Sequence, residues 1–229
     1  MFRDRSDAGR QLAGRLLCYR DEPAVVLALP RGGVPVGYEI AAALKAPLDL
    51  LLVRKIGAPF QPELAVGAIA EGPEPITVVN PEFSAPDLLP TRYIDEQSAA
   101  ELQEIERRRA RYLGGRRRAE IAGRTAIVVD DGIATGATTR AALQAVRRAG
   151  PRKLVLAVPV APQDSLTRLQ PEADEIVCLA TPSPFWAIGQ FYEDFHQVPD
   201  DEVIALLQRA DRQALATPRL PQGRGGPWP

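Results

Sequence analysis

Continuous apolar runs recur along the chain, and segments whose apolar residues follow helical spacing lie between most of them. The runs are short and show no polar alternation, which is typical of strands covered on both faces of a parallel sheet. They lie at residues 24–29, 48–53, 125–130, 153–160 and 175–180. Helical patterns lie at about 6–19, 36–44, 93–113, 137–149 and 163–170. The order predicts an α/β fold, with a mostly parallel, twisted sheet of about five core strands flanked by helices.

Two further stretches, AVGAIA at 65–70 and ITVVN at 76–80, predict shorter strands around the turn EGPEP. Residues 81–90 contain three prolines and are predicted to be irregular. The tail from residue 213 is rich in Pro and Gly, so we expect 213–229 to be disordered. The length then favours a single domain over residues 1–212.

Composition and charge exclude several classes of function. The 28 basic and 29 acidic side chains nearly balance, so we expect no nucleic-acid partner. Cys18 and Cys178 are far apart and lack the spacing of a metal or redox motif, which favours two reduced thiols in a cytoplasmic protein. No apolar run approaches the roughly 18 residues of a membrane span, and MFRDRSDAGR does not resemble a signal peptide.

The stretch that carries chemistry is IVVDDGIATGATT, in which Asp130 and Asp131 close a buried strand. Ligands of parallel sheets bind beyond the carboxyl ends of the strands. The following loop of small residues and hydroxyls opens a helix, which makes it a site for an anion such as a phosphate monoester. The two carboxylates are then best explained as acceptors for vicinal hydroxyls, and phosphate with diol indicates a ribose 5-phosphate. The alternative is a plain Asp-Gly turn with a Thr cap.

Residues 126–139 resemble the phosphoribosyl-diphosphate (PRPP) binding motif of the type I phosphoribosyltransferases, with VVDDGIATGATT at 128–139. A second stretch, LALPRGGVPVG at 27–37, is similar to the pyrophosphate loop of that family. The resemblance covers about residues 5–200. It implies a type I phosphoribosyltransferase-like fold with a small hood subdomain, formed by parts of about 1–20 and 181–200, and a mobile loop within about 57–90.

The resemblance also assigns roles to individual residues. Asp130 and Asp131 are expected to bind the ribose of PRPP, and Mg²⁺ would be held largely by diphosphate and ribose oxygens, with these carboxylates acting at most through water. The 5-phosphate is expected on Ala134, Thr135, Gly136, Ala137, Thr138 and Thr139. The pyrophosphate is expected on Arg31, Gly32, Gly33 and Lys55. The resemblance names Arg31, Lys55 and Asp131 as catalytic, and it implies a cis peptide bond between Pro30 and Arg31.

The sequence does not identify the base that would accept the ribose 5-phosphate. Phe185 or Trp186 could stack on a flat ring, although a small satellite core explains the same aromatic residues, and His196 is expected to be structural. The family's 6-oxopurine enzymes carry an aspartate at the position of Ala134, so hypoxanthine and guanine are weaker candidates. The basic clusters lie at 107–111 and 116–118, and the first, with glutamates one turn earlier, is typical of a solvated helix with i,i+4 ion pairs. Contact with phosphate or RNA is the alternative for these arginines.

The leading hypothesis is therefore a cytoplasmic, homodimeric enzyme that transfers ribose 5-phosphate from PRPP to a small-molecule nitrogenous base. A PRPP-sensing regulatory protein that binds RNA or a protein partner is the alternative, because fold does not fix function. A hydrolase or phosphotransferase acting on a ribose phosphate is a third hypothesis. No membrane partner is expected.

Overall fold

The computed structural model describes residues 1–59, 61–72, 75–80, 83 and 90–216. Most of the predicted irregular segment, parts of the predicted mobile loop and residues 217–229 of the predicted tail lie outside this range. The strands are β1 (Ala24–Ala28), β2 (Leu48–Leu50), β3 (Val53–Ala58), β4 (Gln61–Ala70), β5 (Ile76–Val79), β6 (Thr125–Val129), β7 (Lys153–Val160) and β8 (Glu175–Ala180). The helices are α1 (Arg5–Leu16), α2 (Gly33–Leu44), α3 (Thr91–Leu113), α4 (Ala137–Arg148), α5 (Gln163–Leu169) and α6 (Asp200–Ala216).

The main sheet has five strands in the order β2-β1-β6-β7-β8, and all of its pairings are parallel. This confirms the predicted fold class. The chain winds outward from β1 in both directions, so the strand order reverses between β1 and β6. In an open parallel sheet, the crevice at such a reversal is where ligands bind.

The buried runs form strands because both faces of this sheet are covered. One set of strand residues, including Val26 and Ile127, packs with apolar residues of α1, α2, α3 and α6. The alternating set, including Leu27 and Val128, packs against α4 and α5. Side chains of neighbouring residues point to opposite faces of a strand, so a strand between two helical layers needs apolar residues at every position.

A separate antiparallel sheet of three strands, in the order β3-β4-β5, lies beside the main one. Its apolar residues, including Ala68 and Ile76, pack against Ala141 and Ala145 of α4. The predicted strand at 48–53 is divided between the two sheets. β2 ends at Leu50, and the chain turns into β3 at Val53, which pairs with β4 instead of β1.

Helix α6 has no counterpart among the predicted elements, and it extends to residue 216, past the residue at which the tail was predicted to begin. The helix carries Asp200, Asp201 and Glu202 in its first turn, where carboxylates favour the positive end of the helix dipole. Val203, Leu207 and Ala210 are buried at helical spacing. Both signals are present in the sequence, and they identify α6 without any tertiary information.

Candidate active site

The loops that follow β1 and β6 meet at the reversal of strand order. Leu29 N–H donates to the carbonyl of Val129 at 2.8 Å, which joins the ends of the two strands. The sequence PRGG follows the first strand, and Asp130 and Asp131 follow the second. The structure therefore brings together the two stretches on which the family resemblance rests. The peptide bond between Pro30 and Arg31 is cis, as that resemblance implies.

The two glycines of the first loop lie directly against the acidic pair. A Cβ atom added to Gly32 would stand 1.9 Å from Oδ2 of Asp131. One added to Gly33 would stand 2.7 Å from the carbonyl oxygen of Val129 and 3.1 Å from the Cα of Asp130. No side chain fits in either space, so glycine is required here because the loop and the β6 strand end approach so closely.

Asp131 is the centre of a buried polar network. Arg5 Nε donates to its Oδ2 at 2.8 Å, and the two side chains are only 9% and 13% exposed. Arg5 also donates to the carbonyl of His196 at 2.7 Å, and its guanidinium lies 3.9 Å from the ring centre of Phe195. The Tyr192 hydroxyl donates to the backbone carbonyl of Asp131 at 2.6 Å. The N-terminal helix and the segment after β8 thus fix one of the two predicted ribose-binding residues.

The pKa of the neighbouring Asp130 is strongly perturbed. Burial, and after it the charge of the neighbouring Asp131, raise the pKa of Asp130 well above its ordinary value. The backbone N–H of Asp131, which donates to Asp130 Oδ1 at 2.9 Å, opposes this shift. A carboxyl group whose ionised form is disfavoured in the folded protein costs stability once it ionises. Such groups are found at functional sites more often than elsewhere.

We expect Asp130→Asn to raise the melting temperature at about pH 8 by roughly 2–4 °C, which corresponds to about 1 kcal/mol for a domain of this size. The folded pKa of Asp130 lies above the unfolded one, so its favourable contribution is lost as pH rises through the folded pKa. The variant has no such loss. Melting curves from about pH 4 to 8 should therefore show a difference from the parent protein that grows with pH. A difference that does not vary with pH would contradict the assignment.

The predicted phosphate loop leads directly into the N-terminus of α4. Gly136, at φ 83°, precedes the first residue of α4, a left-handed conformation that suits glycine. The backbone N–H groups of the first helical turn, at Ala137, Thr138 and Thr139, have no acceptor within the helix itself. The preceding bend is held by the Ser165 hydroxyl, which donates to the carbonyl of Ala134 at 2.6 Å. Ala134 and Thr135 are exposed at its rim.

The two predicted cations differ in their surroundings. Arg31 lies 3.7 Å from Asp200 at the start of α6, so its guanidinium faces α6. Lys55 is an exposed residue of β3, where it pairs with Ala68, and it makes no ion pair with any residue that the structure describes. Its neighbour Arg54 donates to Glu101 of α3 at 2.7 Å.

The predicted hood segments are in contact with each other. Phe2 N–H donates to the carbonyl of Phe191 at 2.8 Å, and the Phe2 and Tyr192 rings lie 5.4 Å apart. Phe185 stacks on Phe191 within this small core, whereas Trp186 is 78% exposed. Of the two aromatic candidates for base stacking, Trp186 is therefore the one whose ring is free of the satellite core.

His196, the residue expected to be structural, is exposed, and its Nδ1 lies 3.0 Å from Asp194 Oδ1. The hydrogen bond with Asp194 is the main cause that raises the pKa of His196. Cys18 is exposed, Cys178 is half-buried, and both are free thiols.

The predicted arginine runs are solvated only in part. Arg107 and Arg108 bind Glu104 of the preceding turn, as expected for i,i+3 and i,i+4 pairs. Arg109 instead points inward and binds the buried Glu71 at 2.7 Å, together with Arg118 at 3.1 Å. The prediction of a solvated helix is therefore wrong for Arg109, whose side chain is 17% exposed.

Sequence reasoning missed Arg5 and Tyr192, the partners of Asp131. Arg5 is buried on the same face of α1 as Ala8, Leu12 and Leu16, at spacings of three, seven and eleven residues. An arginine on the apolar stripe of a helix indicates a buried partner, because burying an unpaired charge is costly. The sequence thus contained a signal for Arg5, but none for the identity of its partner.

No group of three or more His, Cys, Asp or Glu side chains among the described residues is arranged to hold a metal ion. Asp130 and Asp131 still provide hard oxygen atoms of the kind that Mg²⁺ prefers. These two carboxylates therefore fit a Mg²⁺ ion that takes few ligands from the protein.

Comparison with known proteins decides the family. The model of the phosphoribosyl transferase domain matches residues 5–196. The chain belongs to this family. The match spans α1, both loops at the reversal of strand order and the aromatic segment after β8, and it confirms the predicted phosphoribosyltransferase family.

Individual relatives have names that agree with this family. A protein from Mycobacterium tuberculosis (strain CDC 1551 / Oshkosh), provisionally named phosphoribosyl transferase MT0597, is 52% identical over 212 residues, which are 93% of this chain and 47% of the relative. The provisionally named phosphoribosyl transferase Rv0571c of strain ATCC 25618 / H37Rv has the same identity and coverage. This chain thus spans about half the length of these curated relatives. The crystal structure of TT1426 from Thermus thermophilus is 44% identical, with a TM-score of 0.79, over 91% of this chain and 98% of that one.

None of the helices within the described ranges is both long and apolar enough to cross a membrane.

Proposed function

We propose that the protein is a phosphoribosyltransferase that transfers ribose 5-phosphate from PRPP to a nitrogenous base and releases pyrophosphate. The observation that carries the proposal is the contact between Gly32 and Asp131. It joins a loop suited to a diphosphate to a carboxylate suited to a ribose diol, at the point in the sheet where ligands bind.

Each part of PRPP has a complementary surface. The open N–H groups at the start of α4, with the hydroxyls of Thr135, Thr138 and Thr139, would bind the 5-phosphate. Arg5 occupies Oδ2 of Asp131, so the diol would bind Oδ1 of Asp131 and the carboxyl group of Asp130. A carboxylate accepts several hydrogen bonds, so the Arg5 contact leaves acceptor positions on Asp131 for the diol.

The pyrophosphate would lie on the loop after β1. Gly32 and Gly33 carry no side chain that would keep the diphosphate away from the loop, and Arg31 would provide a forked cation. The Gly33 N–H already donates to the Leu29 carbonyl at 3.0 Å, so the Gly32 N–H would be the backbone donor. Lys55, exposed on β3, would provide a second positive charge. Magnesium, when bound with the donor, would neutralise diphosphate charge, with Asp130 and Asp131 as its contacts through water.

The reaction breaks the bond between ribose C1 and the pyrophosphate oxygen, and pyrophosphate leaves with the electron pair. A ring nitrogen of the base forms the new bond to C1 and releases its proton. Positive charge develops on the ribose during this exchange, so positioning and electrostatic stabilisation would supply the catalysis, without a protein nucleophile. Ala134 has no carboxyl group to accept the proton of the base. This favours an acceptor that ionises without help from that position, and Trp186 is the candidate for stacking on its ring.

The decisive experiment supplies PRPP and Mg²⁺ with a series of nucleobases and measures pyrophosphate release. We expect release with one class of base and a large loss of rate in Asp130→Asn, whereas Arg148→Gln, on the exposed end of α4, should leave the rate unchanged. Tight PRPP binding without release for any base would favour the PRPP-sensing regulator. Failure to bind PRPP would overturn both functions. The homodimer and the cytoplasmic location stay predictions from the sequence.

A further inference from the structure

A concentrated group of arginines lies at the far side of the PRGG loop. Arg31 meets Arg107, Arg108 and Arg111 from the last turns of α3 around a cavity of about 180 Å³. Tyr112 and Asp200, the first residue of α6, complete its lining. The arginine run at 107–111, which the sequence pattern assigned to a solvated helix, thus contributes three residues to a concave site, and the fourth arginine comes from the PRGG loop.

Positive charge is in excess in this cavity. Asp200 is its internal anion, held by Arg111 at 2.9 Å, by Arg31 at 3.7 Å and by the Tyr112 hydroxyl at 2.6 Å. Outside the cavity, Glu104 binds Arg107 and Arg108 at 2.8 and 2.7 Å. Four guanidinium groups are therefore balanced by two carboxylates. Like charges repel in a concave site, which concentrates their field, so this excess favours the entry of an anion.

The volume of the cavity and its four guanidinium groups indicate which class of anion it would bind. Guanidinium groups bind phosphate oxygens in pairs, and four of them around one space suit several linked phosphates. The volume is below the roughly 300–1,000 Å³ of pockets that enclose drug-sized ligands. The cavity therefore suits a short run of phosphates, or the phosphate end of a larger molecule, and is too small to enclose a base and its sugar as well.

Arg31 and the glycines beside it face different partners. Gly32 and Gly33 lie against Asp131, Val129 and Asp130, whereas the Arg31 side chain faces Asp200. The PRGG loop thus separates the acidic pair from the arginine cavity and has a residue in contact with each. An anion in the cavity would compete with Asp200 for Arg31, and in this way it would act on the loop that faces the proposed donor site.

We infer that the arginine cavity of Arg31, Arg107, Arg108 and Arg111 is a second, oligophosphate-binding site, which shares only Arg31 with the proposed PRPP pocket and is coupled to it through the PRGG loop. The bound oligophosphate displaces the Asp200 carboxylate. The inference goes beyond the proposed transferase reaction, since binding in this cavity does not require that PRPP be a substrate.

The probe is inorganic tripolyphosphate, titrated into the full chain by calorimetry without Mg²⁺. We expect R107Q/R111Q to weaken binding by about tenfold or more, because two charge-assisted contacts are lost. The control R147Q/R148Q makes the same change of charge at the end of α4, where Arg147 pairs with Asp174, and should have little effect. Asp200→Asn should tighten binding several-fold, since it removes the competing carboxylate. Circular dichroism and the conservative variant R107K/R111K test for misfolding.

Competition with PRPP tests whether tripolyphosphate binds in the arginine cavity or in the proposed PRPP pocket. If the two sites are coupled, the apparent affinity for tripolyphosphate falls as PRPP is added and then reaches a plateau. If both ligands compete for one site, the apparent affinity continues to fall with every further addition of PRPP. Unlimited competition would make the arginines part of the donor pocket and overturn the inference. Equal binding by R107Q/R111Q and the parent protein, or no gain in Asp200→Asn, would also overturn it. So would a short single-stranded RNA that binds these arginines in preference to tripolyphosphate. If PRPP fails to bind, the variant comparisons still decide the inference.

Discussion

Replacing Arg5 by methionine should lower the free energy of unfolding by about 3–5 kcal/mol, the cost of leaving one member of a buried ion pair without its partner. The methionine fills much of the arginine volume but leaves the Asp131 carboxylate buried without its guanidinium. It also removes the donor to the His196 carbonyl and the cation over Phe195. Urea denaturation of the variant and the parent protein, with comparison of both midpoint and slope, measures the change.

A double-mutant cycle tests whether the loss of stability arises from the interaction between Arg5 and Asp131. In Asp131→Asn the Arg5 guanidinium is the unpaired group, so this variant should also be strongly destabilised. R5M/D131N should be less destabilised than the sum of the two single variants, because neither charge is then left alone. Arg5→Lys keeps the charge without the second donor and should fall between Arg5→Met and the parent protein. Additive losses in the cycle would show that Arg5 and Asp131 stabilise the protein independently.

The second large effect is expected for Gly32→Ala, which should weaken PRPP binding by about 10- to 100-fold. The added Cβ would stand 1.9 Å from Asp131 Oδ2, so the PRGG loop and the carboxylate cannot both keep their positions. Overpacking of this kind costs about 1–3 kcal/mol, which converts to that range of affinity when the displaced groups bind the ligand. Calorimetric titration with PRPP and Mg²⁺ measures the loss.

Gly14→Ala is the matched control, since it makes the same change on the exposed face of α1. No heavy atom lies within 4 Å of the Cβ position at Gly14. In a helix interior the change to alanine should stabilise the protein slightly, by about 0.5–1 kcal/mol, and leave PRPP binding unchanged. Equal affinity for PRPP in Gly32→Ala and the parent protein would mean that the donor binds away from the contact between the two loops.

The main sheet could be predicted because its signal is local. Four of the five predicted core strands are present with ends within one residue of those predicted, at 24–28, 125–129, 153–160 and 175–180. Each is a run of apolar residues that only a strand covered on both faces can bury. The division of residues 48–53 between two sheets was not predictable in this way, because the run is apolar throughout and the break depends on which strand lies alongside.

The chemistry of the candidate site was partly predictable for a similar reason. Strand, loop and helix follow one another directly in residues 125–148, so the sequence places the carboxylates and the phosphate loop at one strand end. The arginines of α3 show the limit of such reasoning. Their i,i+3 and i,i+4 pairs with Glu104 follow from helix geometry alone, but the approach of Arg31 and Asp200 to the same space depends on the docking of α6.

The sequence by itself therefore determined the α/β class, the order of its core strands and helices, and the family, because periodicity and motif spacing depend on neighbours along the chain. Only the tertiary structure decided that Asp131 is bound by Arg5, that Gly32 lies against its carboxylate, and that Arg31 faces Asp200. These partners are far apart in the sequence. Their approach results from the packing of whole helices on the sheet, which no local pattern records. The hypothesis that Asp130 and Asp131 bind a diol therefore comes from the sequence. The structure adds that the Arg5 guanidinium binds Asp131.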